Sequence, residues 1–215
     1  LGMAAQYLQF LGTDKMSAED ITKEFYKIAC SFNVSAGTEF TTVTIEGLQE
    51  NFTQAVTLFE TLLKNCKADE EALKALKART NKARGDAKLN KAAIMNGLVA
   101  YARYGQNNPA NYTLSNEELN ALSADELVNM LHSLNNYSHK VLYYGPQLLP
   151  VFTAGLSKLH KVPAAFTPAD KKADFSFTSN NSNKVLFADY NMVQSEIRWV
   201  RNAGPYSADA ETTVD

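Results

Sequence analysis

Apolar side chains recur at helical spacing over most of the chain. Ile21, Phe25, Ile28 and Phe32 stand three or four residues apart, which places them on one face of a helix. Ser17 followed by Asp20 has the spacing of a capping box that opens it. Ahead of this helix, the run GMAAQYLQFL from Gly2 to Leu11 is dense enough in apolar residues to predict a short, largely buried helix stopped at Gly12. The period then changes to two. Asn33 to Phe40 and Thr41 to Leu48 are rich in Val, Thr, Ile and Phe, with Val43 and Ile45 alternating against Thr42, Thr44 and Glu46, so two strands closed by Gly47 are expected. Helical spacing returns at Phe52, Val56, Phe59, Leu62 and Leu63, and Asp69 caps a further helical stretch expected to run, with a break at Gly85, to Tyr104. Pro109 to Asn116 reads as a loop. Ser115 with Glu118 and Ser123 with Glu126 then open two short helices that reach about Leu134. HKVLYY, from His139 to Tyr144, predicts a strand ended by Gly145-Pro146, and Leu148 to Leu159 a last helix.

This order contains no regular βαβ alternation, which argues against a doubly wound parallel sheet. The expected class is α+β, a mostly antiparallel sheet with helices layered on it. Residues 163–183 carry Pro163, Pro168, Lys171, Lys172 and the polar run from Ser179 to Asn183, a composition typical of a linker. The domain expected ahead of it is 1–162, lacking its opening strand. Residues 184–215 are expected to supply strands at the start of a following domain, from KVLFADY and VQSEIRWV. Strand-forming sequence needs a ladder for its backbone groups, so Val185 to Val200 is expected to pair with the sheet of residues 33–144.

Composition narrows the function classes. With 215 residues, 45% of them apolar and 20% charged, the chain can bury a core without disulfide staples and is not expected to be disordered. A net charge of −2 provides no field to recruit nucleic acid or anionic lipid. No apolar run is long enough to span a bilayer as a helix.

Candidate chemistry is sparse. Cys30 and Cys66 lack metal or redox spacing and are expected as buried, unpaired thiols, a bridge in an oxidising compartment being the alternative. His132, His139 and His160 are separated by seven and 21 residues and fall in different elements without an acid pattern, so they are expected as core or surface residues rather than ligands. No nucleophile elbow and no phosphate-binding or dinucleotide-binding loop occurs. If 74–91 is one helix, Lys74, Lys77, Arg84, Lys88 and Lys91 fall within about a 100° face. Such a face is solvated, or an electropositive wall for acidic peptide or a partner domain. Trp199 and Tyr206, beside Arg198 and Arg201, could be interface aromatics, with Trp199 expected in the core of a strand pair.

Several of these segments together suggest a family. YLQFLGTDKMS from Tyr7 to Ser17, followed by FYKIACSFNVSAGTEFTTVTIEGLQENFTQAVTLFETLL ending at Leu63, resembles the pitrilysin/insulinase-type zinc peptidases, which include the mitochondrial processing peptidases. Gly12-Thr13, Val34-Ser35-Ala36, Gly47-Leu48 and Glu50-Asn51-Phe52 stand in the family's order. KVLFADYNMVQSEIRWV resembles the opening strand of the next domain in such tandem proteins. The resemblance implies the metallohydrolase-domain fold of the processing peptidases. Active members carry His-x-x-Glu-His on the first helix, two imidazoles for zinc and a Glu to activate water, with a distant Glu as third ligand. At that spacing from Gly12-Thr13 this chain has Met3, Gln6 and Tyr7, and 76–84 offers Lys77, Arg79, Lys82 and Arg84 but no acid.

No catalytic or metal residue is therefore assigned, and no peptide-binding residue. The resemblance implies a non-catalytic peptidase-like domain that encloses peptide substrate opposite the catalytic half of the same parent chain. Zinc is then expected in that half and none here. A periplasmic or cell-envelope location is implied likewise. The alternatives are a scaffold domain of a wholly inactive parent, as in core subunits of respiratory complexes, or a small-molecule enzyme with a deep pocket.

Overall fold

In a computed structural model, residues 1–37, 40–168, 173–179 and 181–201 are described. They comprise eight α-helices and one antiparallel strand pair: α1 (Gly2–Leu8), α2 (Ala18–Lys27), β1 (Cys30–Ala36), β2 (Thr41–Gly47), α3 (Phe52–Asn65), α4 (Glu70–Ala87), α5 (Lys91–Tyr104), α6 (Asn116–Ala121), α7 (Ala124–His132) and α8 (Leu149–Leu159). The class is α+β, rich in helix. The chain packs as two compact units, the first built from 1–79 with 116–172 and the second from 80–115 with the residues after 172.

The first unit contains the main core. β1 and β2 pair with Phe32 opposite Ile45 and Val34 opposite Val43, so their alternation gives one apolar face. Ser31, Asn33, Ser35, Thr42 and Glu46 point to solvent on the other. α1, α2 and α3 all pack against β1. Phe32 links them, its ring centroid 4.9 Å from that of Phe25 on α2 and 5.4 Å from that of Phe59 on α3. α1 lies against both β1 and α7, which is why Ala4, Ala5, Tyr7 and Leu8 are all at most 1% exposed. Both expected capping boxes that frame this core are present, Ser17 with Asp20 and Ser123 with Glu126. Hydrogen bonds from the side chain and backbone of Ser17 hold the Asp20 carboxyl below its usual range.

Gly12 follows from a close approach. A Cβ there would lie 2.5 Å from the carbonyl oxygen of Met16, in the turn where Thr13 donates its backbone N–H to that same oxygen at 2.8 Å. Gly47 is constrained in a different way, because a Cβ would collide with Sγ of Cys30, its partner across the ladder.

The second unit is organised around α5. Asn108, 4% exposed, accepts from the amides of Ala110 and Asn111 and donates to the carbonyl of Gly105, closing the loop after the helix. Residues 173–179 run beside the helix, with Phe177 stacked on Tyr104 at 4.8 Å and the Thr178 amide bonded to the carbonyl of Arg103 at 2.8 Å.

Several sequence expectations are corrected. The break expected at Gly85 falls at 88–90, where Asn90 caps α5 by accepting from Ala93. Residues 139–144 and 184–201 contain no strand and belong to no ladder, and 193–194 form a bend. The expected pairing of Val185 to Val200 with the sheet does not occur. Within the second unit, Tyr190 donates to the carbonyl of Leu89 and Arg198 donates to Asn96. Trp199 is 94% exposed rather than core, because the strand pair it was to support does not form. Tyr206 lies outside the described residues.

Candidate functional site

The motif positions lie on α1, and the structure gives each a different environment. Met3 is half-buried against the core, Gln6 is exposed, and Tyr7 is fully buried. Tyr7 Oη donates to the carbonyl oxygen of Asp69 at 2.6 Å and accepts from the Asp69 amide at 2.7 Å. The Asp69 carboxylate in turn accepts from the Ala72 amide at 2.9 Å, capping α4. The residue where a second imidazole would stand is thus a buried tie between α1 and the start of α4. Burial is the main cause that pushes the Tyr7 phenol above its ordinary range; the carboxylates of Asp69 and Glu70 and the Cys66 thiol add to it, against the lowering effect of the Asp69 hydrogen bond.

These side chains do not fit a divalent metal. A thioether, an exposed carboxamide and a phenol held as a hydrogen-bonded neutral group provide no anionic or imidazole donor. The region 76–84 on α4 does not make up the deficit. Leu76 is buried, Lys77 donates its ammonium to the carbonyls of Asn120 and Leu122 at 2.9 and 2.7 Å, and Arg84 donates to the carbonyl of Leu114 at 2.7 Å. Among the described residues, no three His, Cys, Asp or Glu side chains converge as a metal site. The expected basic face is also reduced. Lys77 and Arg84 are occupied in holding backbone carbonyls, Lys74 meets Glu71 at 3.7 Å, and Lys88 and Lys91 lie on either side of the helix break.

The histidines are distributed differently from their sequence spacing. His132 donates through Nε2 to the carbonyl of Cys66 at 3.2 Å. His139 and His160 meet, Nε2 to Nε2, at 2.8 Å. His160 Nδ1 lies 2.6 Å from Glu60 on α3, whose other oxygen accepts from Asn135 at 3.0 Å. Glu60 was not among the sequence candidates, and no local signal marks it, since 100 residues separate it from His160.

Both cysteines are free. Cys66 is fully buried, and desolvation pushes its thiol up to about 11; Cys30 is half-buried. Cys30 lines an open depression of about 560 Å³ with Tyr26, Ala29, Ser31, Glu46 and Gly47. It is a shallow surface feature, unlike the enclosed cleft a small-molecule site requires. No helix among the described residues is long and apolar enough to cross a membrane.

The sequence profile of the family described as Insulinase (Peptidase family M16) matches residues 5–117. No curated protein sequence matches the chain. Among solved structures, the ferredoxin protease FusC, in a mutant form bound to Arabidopsis ferredoxin, superposes with a TM-score of 0.62 at 15% identity, covering 82% of this chain and 19% of its own. The periplasmic protease PqqL from Escherichia coli gives 0.62 at 10% identity, covering 84% of this chain and 20% of its own. A peptidase M16 inactive domain from Pseudomonas fluorescens gives 0.51 at 14% identity, covering 61% of this chain and 32% of its own. At such identities the likeness concerns the fold, and the chain spans a third or less of the length of each of these structures.

Proposed function

The chain belongs to the insulinase family of peptidases, family M16, and we propose that it serves in a larger parent as the non-catalytic peptidase-like domain that encloses peptide opposite the catalytic half. The observation that carries this reading is the state of the motif positions. A family that hydrolyses peptides with zinc here has Met3, Gln6 and Tyr7 in place of its ligands and base. Tyr7 is fully buried and its hydroxyl is bonded to the backbone of Asp69. A hydrolytic centre needs three protein donors and a positioned base, and neither region of this chain that should hold them has the chemistry.

The likeness in fold to an inactive domain of the same family supports the reading, as does the small share of the two proteases that the chain spans. Unsatisfied strand sequence supports it further. Leu142 and Tyr144 are 93% and 104% exposed in a segment that belongs to no ladder, while Tyr143 between them is turned inward onto Phe152 at 4.2 Å. Such a segment is completed by strands from elsewhere in the parent. On this reading 1–162 is the peptidase-like domain, 163–183 a linker and 184–215 the opening of the next domain. The parent holds zinc in its catalytic half. An envelope location is part of the proposal, supported by a periplasmic relative in fold.

Two measurements test the role. Metal analysis of the purified chain should find no stoichiometric zinc, and the chain should cleave no peptide. Deleting 1–183 from the parent, with the catalytic half still folded, should abolish cleavage or broaden its size selectivity, because enclosure and positioning are lost. Tightly held zinc with activity in the isolated chain would refute the non-catalytic reading. An unchanged cleavage profile in the truncated parent would refute enclosure.

A further inference from the structure

Three segments distant in sequence meet at His139 and His160. His139 lies just beyond the turn that follows α7, His160 is the C-cap of α8, and Glu60 projects from α3. Four acceptor or donor groups stand in a row. The Tyr137 carbonyl is 2.7 Å from His139 Nδ1, His139 Nε2 is 2.8 Å from His160 Nε2, and His160 Nδ1 is 2.6 Å from Glu60 Oε1. The rings meet edge-on at 80°, and Phe166 packs edge-on against His139.

The number of protons in this row follows from donor and acceptor chemistry. A carbonyl only accepts, so Nδ1 of His139 carries hydrogen. Each of the other two contacts holds one hydrogen between its heavy atoms. The row therefore contains three protons, one more than two neutral imidazoles and a carboxylate would bring. With one fewer, one of the two contacts has no hydrogen: either the two Nε2 lone pairs face each other, or the Nδ1 lone pair of His160 faces the Glu60 carboxylate. With one more, two Nε2–H groups collide. Glu60 balances the extra charge, its second oxygen held by Asn135, and the side chains of His160 and Glu60 are only 15% and 21% exposed.

A metal ion is the other way to join two imidazole nitrogens. Each of these rings does have its Nδ1 hydrogen on an acceptor, as metal-bound histidines do. Two nitrogens about 2.0–2.1 Å from a tetrahedral zinc, however, stand roughly 3.3 Å apart, and the Nε2 pair is closer than that. No third donor joins them among the described residues.

We propose that His139, His160 and Glu60 form a proton-binding site that fastens 137–140 to α3 and α8 by holding one shared proton between two imidazoles. The groups around it are accounted for by element. α3 presents Glu60, the turn after α7 presents Asn135 and the Tyr137 carbonyl, and 161–168 presents Phe166. The adjoining cations are Lys140 and Lys161, the latter bonded to the Ser157 carbonyl. Next to the row, Thr167 donates its amide to the carbonyl of Asn136 at 2.8 Å, so the fastening and this contact share a segment. Uptake of a second proton sets N–H against N–H and opens the Nε2 contact, whereas loss of the first leaves either that contact or the one to Glu60 without hydrogen, so the row is complete only between those two limits.

The experiment uses the whole chain labelled with 15N. Ring-nitrogen spectra across pH 4.5–9 should show His139 and His160 titrating as a coupled pair in two steps. Exchange protection of the Thr167 amide, corrected for intrinsic exchange, should pass through a maximum between them. His139→Asn, at an exposed position, should convert the His160 titration to a single step. It should also flatten the pH profile of protection and lower the maximum about tenfold, the worth of one charge-assisted hydrogen bond. Independent single-step titration of both rings in the unmodified chain, or protection indifferent to pH and to His139→Asn, would overturn the proposal. So would one equivalent of zinc bound at micromolar concentration and lost in His139→Asn, which would make the pair a metal site.

Discussion

The hydroxyl of Tyr7 lies 2.6 Å from the carbonyl oxygen and 2.7 Å from the amide nitrogen of Asp69, 62 residues away. One side chain thereby satisfies two backbone groups at the entry to α4, while its ring occupies a site with no exposed surface. Tyr7→Phe keeps the ring and removes both bonds, leaving the Asp69 amide without this acceptor, while the Asp69 carbonyl still accepts from the Leu73 amide at 3.0 Å. The expected loss is about 1–3 kcal/mol, read as a lower urea midpoint with an unchanged slope. A midpoint equal to that of the unmodified chain would show that the tie is not structural.

Restoring the family motif should not restore a metal site. Met3→His, Gln6→Glu and Tyr7→His combined put two imidazoles and an acid on α1, but Leu76 to Arg84 still contributes no carboxylate, and Gln6 faces solvent. The triple variant should be destabilised by at least the Tyr7→Phe loss and bind zinc no tighter than a surface His pair. Equilibrium dialysis checks this, and tight stoichiometric zinc would show that a third donor comes from elsewhere in the chain.

Two glycines should respond in opposite directions to alanine. Gly12→Ala drives a methyl group into the backbone of the 12–17 turn, which costs about 1–3 kcal/mol, the range for overpacking. Gly85 sits exposed within α4 with open space around it, so Gly85→Ala should stabilise by about 0.5–1 kcal/mol. Thermal unfolding of the two variants should move the midpoint down and up respectively.

Stability should fall on the alkaline side. The folded Cys66 thiol is raised from 9.0 to about 11, so between those values the unfolded chain releases a proton that the folded chain keeps. Its contribution is complete below pH 9 and is lost as pH rises through 11, amounting to about 3 kcal/mol. Tyr7, also raised by burial, acts in the same direction above pH 10. Denaturant midpoints at pH 8 and 10.5 should differ less in Cys66→Ala than in the unmodified chain.

Helices were legible because their signals are local. Ser17 with Asp20, Ser123 with Glu126 and the spacing of Phe52, Val56, Phe59 and Leu63 each involve residues within one or two turns, and the structure has helices at all three places. The β1–β2 pair was legible for a similar reason, since its partners adjoin in sequence and one face is apolar. The identity of the residues at the motif positions, Met3, Gln6 and Tyr7, is read directly from the sequence, because a motif at fixed spacing from Gly12-Thr13 can be compared residue by residue.

What sequence could not supply depends on contacts between distant segments. HKVLYY and KVLFADY have strand-forming composition, but composition does not create a partner, and without one no ladder forms and Trp199 stays outside. Tyr7 belongs to an apolar run in the sequence, and its bond to Asp69 appears only when α1 docks beside the start of α4. His139 and His160 looked unrelated at 21 residues apart, and Glu60 carried no mark at all. Periodicity states which face of an element is buried, whereas which polar groups meet there is set by how α3, α8 and the turn after α7 close on one another, because hydrogen bonds act only over the last few ångströms.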